Sequence, residues 1–259
     1  MKGKVVSNTK LNDKYYLMEI ECEEFVNKAK PGHFMMVKAQ QYDYLYDPLL
    51  RRPFGVCDIE RGRFKILYVL IGKGTNLLSQ IKINSTIEFS EPLGNTFKYN
   101  GGKKVAMVGG GVGIAPLLFL ARYLKNQGTE IDLYYGGKTE DDILMIDEFK
   151  KYCSHIIVTT ENGKVGQKGI VTEPLQKNIL QYDKIYACGP KKMLEATTKI
   201  AVENKIPIEV SLDERMACGM GACLGCLIYL KNDNGEIEQK RCCVEGPVFD
   251  GSKIVWSNQ

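Results

Sequence analysis

The residues that offer chemistry are crowded into RMACGMGACLGC, residues 215–226, where three cysteines, three glycines and two alanines share twelve positions. Cys218, Cys223 and Cys226 make C-x4-C-x2-C, the spacing with which a plant-type two-iron cluster takes most of its thiolates, the last coming from later in the chain. Zinc ribbons tend to pair two short C-x2-C knuckles, which this stretch lacks. The small residues then have a reason, because a loop wrapped round an inorganic core has no room for bulk and should turn its amides toward the sulfurs. Zinc and coincidental structural cysteines are the competing readings. Downstream, Cys242 and Cys243 are adjacent. In an extended segment they point to opposite sides, so only one can face the loop.

Other small-residue turns suit phosphates. Gly109-Gly110-Gly111-Val112-Gly113 follows a strand-like run and precedes Pro116, a favoured helix-starting residue. It is not the G-x-G-x-x-G fingerprint, and no acidic residue ends the next strand, DLYYGG. Cys188-Gly189-Pro190 is a second turn of this kind. Each also has a plain reading, a glycine turn that only packs strand on helix. In LLRRPFGV, Arg51 and Arg52 interrupt an apolar strand, where a guanidinium needs a charged partner such as a phosphate or a neighbouring carboxylate. Gly72-Lys73-Gly74-Thr75 adds a turn with free amides and a hydroxyl. His33 and His155 begin strands and read as structural.

These turns need a scaffold, and 259 residues suffice for two domains with a small appendage. A hydrophobic fraction of 44% with 25% charge is ordinary for a globular chain. The net charge of +4 is mild and its lysines are spread out, so nucleic acid is not expected as a partner. Residues 105–121 are uncharged but fall short of the roughly 20 needed to span a bilayer. No apolar leader is visible at the start, so the expected location is the cytoplasm, without a membrane. There, nine cysteines point to metal or redox chemistry rather than disulfides. Cys22, Cys57, Cys153 and Cys188 sit singly in apolar runs and read as small hydrophobes.

Up to residue 99 the chain reads as short strands (KVVSN, YYLMEIEC, HFMMVK, PFGVCDI, RFKILYVLI, TIEFS), which predicts a closed or nearly closed barrel. After Tyr99-Asn100-Gly101-Gly102 strands alternate with helix-length segments, at 104–108, 130–135, 155–160, 184–188 and 208–212 for strands and 116–127, 140–152, 172–180 and 190–203 for helices. That rhythm predicts a parallel sheet that binds ligands at its carboxyl edge. The fold class expected is therefore a β-barrel plus an α/β parallel-sheet nucleotide-binding domain, with a small C-terminal iron-sulfur module. The expected boundaries are 1–99, 100–212 and 213–259.

The Arg-Pro strand, Gly-Thr turn, GGGVG turn, CGP turn and cysteine loop, in that order, resemble the ferredoxin-NADP reductase superfamily with an added cluster module. More narrowly, LDERMACGMGACLGC with CVEGPVF is similar to the electron-transfer subunits of B-type, NAD-linked dihydroorotate dehydrogenases. The resemblance implies FAD in the barrel, held by Arg52, Pro53, Phe54, Gly55, Leu67, Tyr68, Val69, Gly74 and Thr75. It implies NAD over Gly109, Gly110, Gly111, Gly113, Cys188, Gly189 and Pro190, and a 2Fe-2S cluster on Cys218, Cys223, Cys226 and Cys243, the last because the family's fourth ligand stands two residues before Gly-Pro-Val-Phe. Gly55 stands where the family usually carries a hydroxyl near flavin N5, so a hydrogen bond there falls to backbone or water. The implied activity, in pyrimidine biosynthesis, passes electrons from an FMN-containing catalytic subunit through the cluster and FAD to NAD+, in a heterotetramer of two subunits each. A flavin and iron-sulfur reductase serving another redox partner is the alternative. By residues alone NAD and NADP are both open, with Lys138 available to a phosphate; the resemblance favours NAD.

Overall fold

The computed structural model describes residues 1–39, 47–100 and 102–258; Gly101, within the change of rhythm, lies outside them. The first region contains β1 (Lys2–Lys10), β2 (Tyr15–Glu21), α1 (Glu23–Lys28), β3 (Phe34–Val37), β4 (Arg52–Gly55), β5 (Asp58–Glu60), β6 (Arg63–Val69), α2 (Lys73–Ser79) and β7 (Thr86–Glu88). One sheet runs β5-β6-β2-β1-β7, while β3 pairs with β4. Bridges from Val37 to Phe89 and from Phe34 to Leu93 tie β3 to the chain leaving β7. The stretch PFGVCDI, read as one strand, divides: the Val56 amide donates to His33 O and the Cys57 amide to Lys65 O. One segment thus leaves β3 and joins β6, which closes the barrel. Phe25, Phe64 and Phe89 pack inside it in tilted and edge-to-face contacts with ring centroids 4.3–5.4 Å apart, each burial contributing about 2 kcal/mol. The Gly-Lys-Gly-Thr turn proves to be the first turn of α2.

The second region comprises β8 (Lys104–Gly110), α3 (Ala115–Asn126), β9 (Glu130–Gly137), α4 (Ile146–Phe149), β10 (His155–Thr160), β11 (Gln167–Lys168), α5 (Thr172–Asn178), β12 (Lys184–Cys188), α6 (Lys191–Glu203) and β13 (Ile208–Ser211). The helix expected over 140–152 is mostly absent. Asp142 Oδ2 accepts the Lys138 and Thr139 amides, and Met145 has φ 57°, so the chain forms a short turn and only the four residues of α4. Local side-chain bonds there compete with the helix. Among the described residues no helix is long and apolar enough to cross a membrane.

The C-terminal part adds β14 (Leu227–Lys231), β15 (Ile237–Arg241), α7 (Cys242–Glu245) and β16 (Val248–Asp250). β16 pairs antiparallel with β13, extending the sheet to β11-β10-β9-β8-β12-β13-β16. The cysteine-bearing segment is therefore sewn into the sheet at its edge. Asn95, from the chain leaving the barrel, reinforces the seam: its side chain donates to Glu245 O and Val248 O and accepts from the Val248 amide.

Candidate cofactor and cluster sites

Arg52 begins β4 and lies against the first turn of α2. A Cβ built on Gly74 would stand 3.0 Å from Arg52 Nε, so glycine there lets the Arg52 side chain lie close against the turn. Among the described residues no carboxylate pairs with Arg52, whose guanidinium hydrogen-bonds only the Leu50 carbonyl. Arg51 points elsewhere, 3.9 Å from Glu88. A guanidinium with no acidic partner among the described residues, beside the glycine of a helix-starting turn, fits a diphosphate. Thr75 does not offer a free hydroxyl as expected: Oγ1 accepts the Ile71 and Gly72 amides and donates to Gly72 O, which consumes it in the turn. Tyr68 keeps its side chain inside the barrel. Its ring is sealed in the barrel and its hydroxyl donates to Asn8, so it has only backbone to offer a flavin. Leu67 is buried in the core shared with the sheet domain, and Val69 packs at that core's edge. Pro53 and Phe54 sit opposite Met36 and Met35 in β3. Gly55 faces Pro116 of α3, to which an added Cβ would come within 3.8 Å.

The two turns of the parallel sheet meet each other. Strand order reverses between β8 and β12, and each turn leaves one of these strands. A Cβ on Gly113 would stand 2.5 Å from Gly189 Cα, and one on Gly110 would stand 2.7 Å from Pro190 Cδ. Gly109 is likewise closed by Ile114 at 2.5 Å. Gly110 and Gly113 are demanded by packing of turn on turn, and Gly109 by Ile114 within its own turn, which corrects the expectation that all of them clear space for a ligand. Gly111 is the exception: φ is 52°, and the nearest atom to an added Cβ is Tyr15 Oη at 3.7 Å. A short 3-10 turn, Gly111–Ile114, intervenes before α3, so Pro116 is the second helical residue; Pro190 caps α6 rather than starting it. Cys188 is buried, and burial pushes its thiol up to about 12, so it contributes backbone only.

Sequence reasoning passed over several neighbours. Tyr15 of β2 donates to Asp142 Oδ1 at 2.9 Å, joining barrel to sheet, although nothing in its surroundings marks it out. Asp213 and Glu214 line a recess beside Gly189 with Trp256, and burial raises both carboxyls. Their signal was an acidic pair directly before the cysteine loop. His155 Nδ1 lies 2.8 Å from Asp132 at the amino end of the sheet, away from these turns, and His33 Nδ1 accepts the Lys30 amide.

The cysteine loop turns left-handed at Gly219, Gly221 and Leu224, the last strained for a branched side chain. Two amides point at sulfur as the loop composition suggests: Met220 N donates to Cys218 Sγ and Gly225 N to Cys223 Sγ, both at 3.5 Å. The Met220 amide first, then the Cys223 amide and thiol, draw the Cys218 thiol down to about 6. Cys243 sits against Cys226, and burial followed by that neighbour raises its thiol. The thiols thus fall into two adjoining pairs, Cys218 with Cys223 and Cys226 with Cys243. Cys242 turns away, its Sγ donating to Leu212 O at 3.8 Å within the core. The two adjacent cysteines lie on the short helix α7, so they diverge by helical rotation rather than strand alternation.

Tetrahedral zinc would bring all its sulfurs within about 4 Å of each other, given Zn–S near 2.3 Å. Among the described residues the only three donor groups mutually within 4.8 Å are Glu130, Asp132 and His155, where the Lys104 ammonium already lies 2.7 Å from Glu130. The spread of the cysteine pairs fits a binuclear core. The loop also touches the barrel, since a Cβ on Gly219 would stand 2.5 Å from Met36 Cγ, and Met36 faces Pro53 across the β3–β4 ladder.

Comparison with known proteins adds independent findings. Residues 213–255 match the iron-sulfur cluster binding domain of dihydroorotate dehydrogenase B, and residues 107–199 match the oxidoreductase NAD-binding domain. The dihydroorotate dehydrogenase B (NAD(+)) electron transfer subunit of Caldanaerobacter subterraneus subsp. tengcongensis is 40% identical over 99% of this chain and 98% of its own. That of Clostridium perfringens is 36% identical over 98% and 97%. A solved structure of an NADH-dependent reduced ferredoxin-NADP oxidoreductase superposes with a TM-score of 0.86 at 32% identity, covering 99% of this chain and 90% of that one. A ferredoxin NADP+ reductase from Neisseria gonorrhoeae with bound FAD and NADP shares the fold at a TM-score of 0.67 and 17% identity, covering 82% of this chain and 98% of that one.

Proposed function

The chain belongs to the family of dihydroorotate dehydrogenase B electron-transfer subunits, and from that premise we propose which residues hold each cofactor and how the chain meets its partner. It is an NAD-linked oxidoreductase subunit that works with a dihydroorotate dehydrogenase catalytic partner in pyrimidine biosynthesis and uses FAD, a 2Fe-2S cluster and NAD. When bound, FAD trades a hydride with NAD and single electrons with the cluster, converting one electron currency into the other.

In this reading Arg52 holds the FAD diphosphate and Gly74 leaves room for it. Pro53, Phe54 and Gly55, with the backbone of Leu67 to Val69, line the flavin edge that faces Pro116. Gly111 admits the dinucleotide, while Gly110 and Gly113 lock its turn against Pro190 and Gly189, and Gly109 packs on Ile114. Cys218 and Cys223 would hold one iron, and Cys226 and Cys243 the other. The observation that carries the reading is the seating of Gly219 on Met36, which sets the cysteine loop against the strand paired with the Arg-Pro strand.

Met220, Leu224 and Val244 are exposed apolar side chains around the exposed Cys223, a rim suited to a docking subunit. The assembly proposed is a heterotetramer with two FMN-containing catalytic subunits, in the cytoplasm, a compartment that suits nine cysteines outside any disulfide. The domains proposed are 1–99 for FAD, 100–212 for NAD and 213–259 for the cluster, the last joined to the sheet through β16. The test is dihydroorotate-dependent reduction of NAD+ by the co-purified complex, with and without this chain. Flavin and iron-sulfur absorbance in the isolated chain but no NAD+ reduction by the complex would favour the second reading, a reductase subunit for another redox partner, which the likeness to the ferredoxin-NADP oxidoreductase supports.

A further inference from the structure

The loop after β9 returns a carboxylate that the strand end itself lacks. Beyond Gly137 the chain turns so tightly that a Cβ there would stand 2.9 Å from Asp142 Cβ, and Asp142 pins the turn through the Lys138 and Thr139 amides. Glu140 is thereby fixed over the carboxyl ends of the strands. Lys164 Nζ donates to its Oε1 and Asn162 Nδ2 to its Oε2, both at 2.8 Å and both from the chain leaving β10. The carboxylate keeps 35% of its surface, so a ligand can reach it.

Strand register sets what arrives there. Gly110 lies opposite Gly136 of β9, and Gly136 opposite Thr159 of β10, so three strand ends are flush. A dinucleotide whose diphosphate rests on the Gly111 turn sends its nicotinamide half toward β12 and the barrel, where Gly55 meets Pro116. The adenosine half then runs the other way, over β9 and β10, by one or two strand spacings, about 5–10 Å. Its ribose falls beside Glu140. Dinucleotide folds place an acid on the ribose hydroxyls when the 2′ position is free, and a cation there when it is phosphorylated. Here the cations, exposed Lys138 and Lys164, lie in the same loops, but Lys164 is spent on Glu140.

We infer that Glu140 selects NAD over NADP in two ways: its carboxylate accepts from the adenosine ribose hydroxyls, and its grip on Lys164 withholds that ammonium from a 2′-phosphate. The inference rests on the dinucleotide reading of the glycine turn. It is tested on the full chain carrying its flavin, with 5′-AMP and 2′,5′-ADP as probes, each displacing NADH at a fixed low ionic strength. In the parent chain 5′-AMP should bind more tightly. In Glu140→Gln, 2′,5′-ADP should gain about tenfold and 5′-AMP lose a few fold, the size of one charge-assisted hydrogen bond. Adding Lys164→Met to that variant should abolish the gain. If Glu140→Gln, folded by circular dichroism and flavin content, keeps the parent preference within about twofold, or if the gain survives without Lys164, the inference is overturned. A parent chain that binds neither probe would overturn the dinucleotide reading, and this inference with it.

Discussion

At the scale of single residues the chain separates look-alikes by where they point. Cys242 and Cys243 differ only in direction, one bonded to Leu212 O and the other against Cys226. Cys243→Ser should cost most of the iron and acid-labile sulfide, because a hydroxyl is a poorer iron ligand than a thiolate. Cys242→Ala should keep the iron and lose about 1 kcal/mol of stability, the cost of one small core group. Normal clusters in the Cys243 variant with loss in the Cys242→Ala protein would reverse the assignment. The arginines divide similarly, Arg51 toward Glu88 and Arg52 toward Gly74. Arg52→Ala should lower flavin occupancy several-fold, on the order of one lost bidentate contact, and leave cluster absorbance in place; Arg51→Ala should not touch flavin. Full flavin retention without Arg52 would remove it from the site.

Among elements, the glycine turn is a packing device before it is a binding device. Gly113→Ala forces a methyl into Gly189 and should destabilise the chain by about 1–3 kcal/mol, as overpacked cores do. Gly111→Ala meets only Tyr15 Oη, at ordinary contact distance, and pays mainly for its left-handed backbone, about 1 kcal/mol, while raising the NADH KM with flavin retained. Thermal melts and NADH titrations of the two variants give the comparison; a greater stability loss at Gly111 would contradict the packing. At the opposite end of the sheet, burial alone would raise the Asp132 carboxyl, but hydrogen bonds from His155, Tyr182 and Lys104 hold it below the ordinary range. A carboxylate lowered on folding stabilises above its unfolded value and loses that contribution as the pH falls through the folded one. The Tm gap between parent and Asp132→Asn should therefore be fully open above about pH 5 and narrow steadily as the pH falls below about 4. A gap that does not change with pH would show that the carboxylate's ionisation is irrelevant.

Across the whole molecule, two of the seams that join the parts are held by side-chain hydrogen bonds to single residues. One is the Tyr15–Asp142 contact between barrel and sheet; the other is Asn95, which holds the segment behind Cys243 by three hydrogen bonds. Asn95→Ala leaves Glu245 O, Val248 O and the Val248 amide without their partner and should cost about 2–4 kcal/mol. Because α7 and β16 then loosen together, the cluster should also bleach faster under mild chelator. Differential scanning calorimetry with a timed loss of cluster absorbance reads both effects; a lowered Tm with unchanged bleaching would mean that the seam does not support the cluster segment.

What the sequence determined alone was chemistry with a short spacing and elements with a strong period. C-x4-C-x2-C is local, so its ligand pattern is readable without a fold, and five strands of the parallel sheet fall within two residues of the stretches that their apolar runs mark. What only the tertiary structure decided was long-range. The identity of the atoms that crowd Gly110 and Gly113 depends on a turn some eighty residues away, and that of Gly219 on a strand in the barrel. The short turn in place of the 140–152 helix depends on Asp142 reaching back to two amides, a choice that apolar periodicity does not register. Glu140 lies beyond the strand end where a carboxylate would be sought, and reaches the sheet's carboxyl edge only because the chain doubles back. Local composition states which groups are available; which of them meet is set by strand order and register.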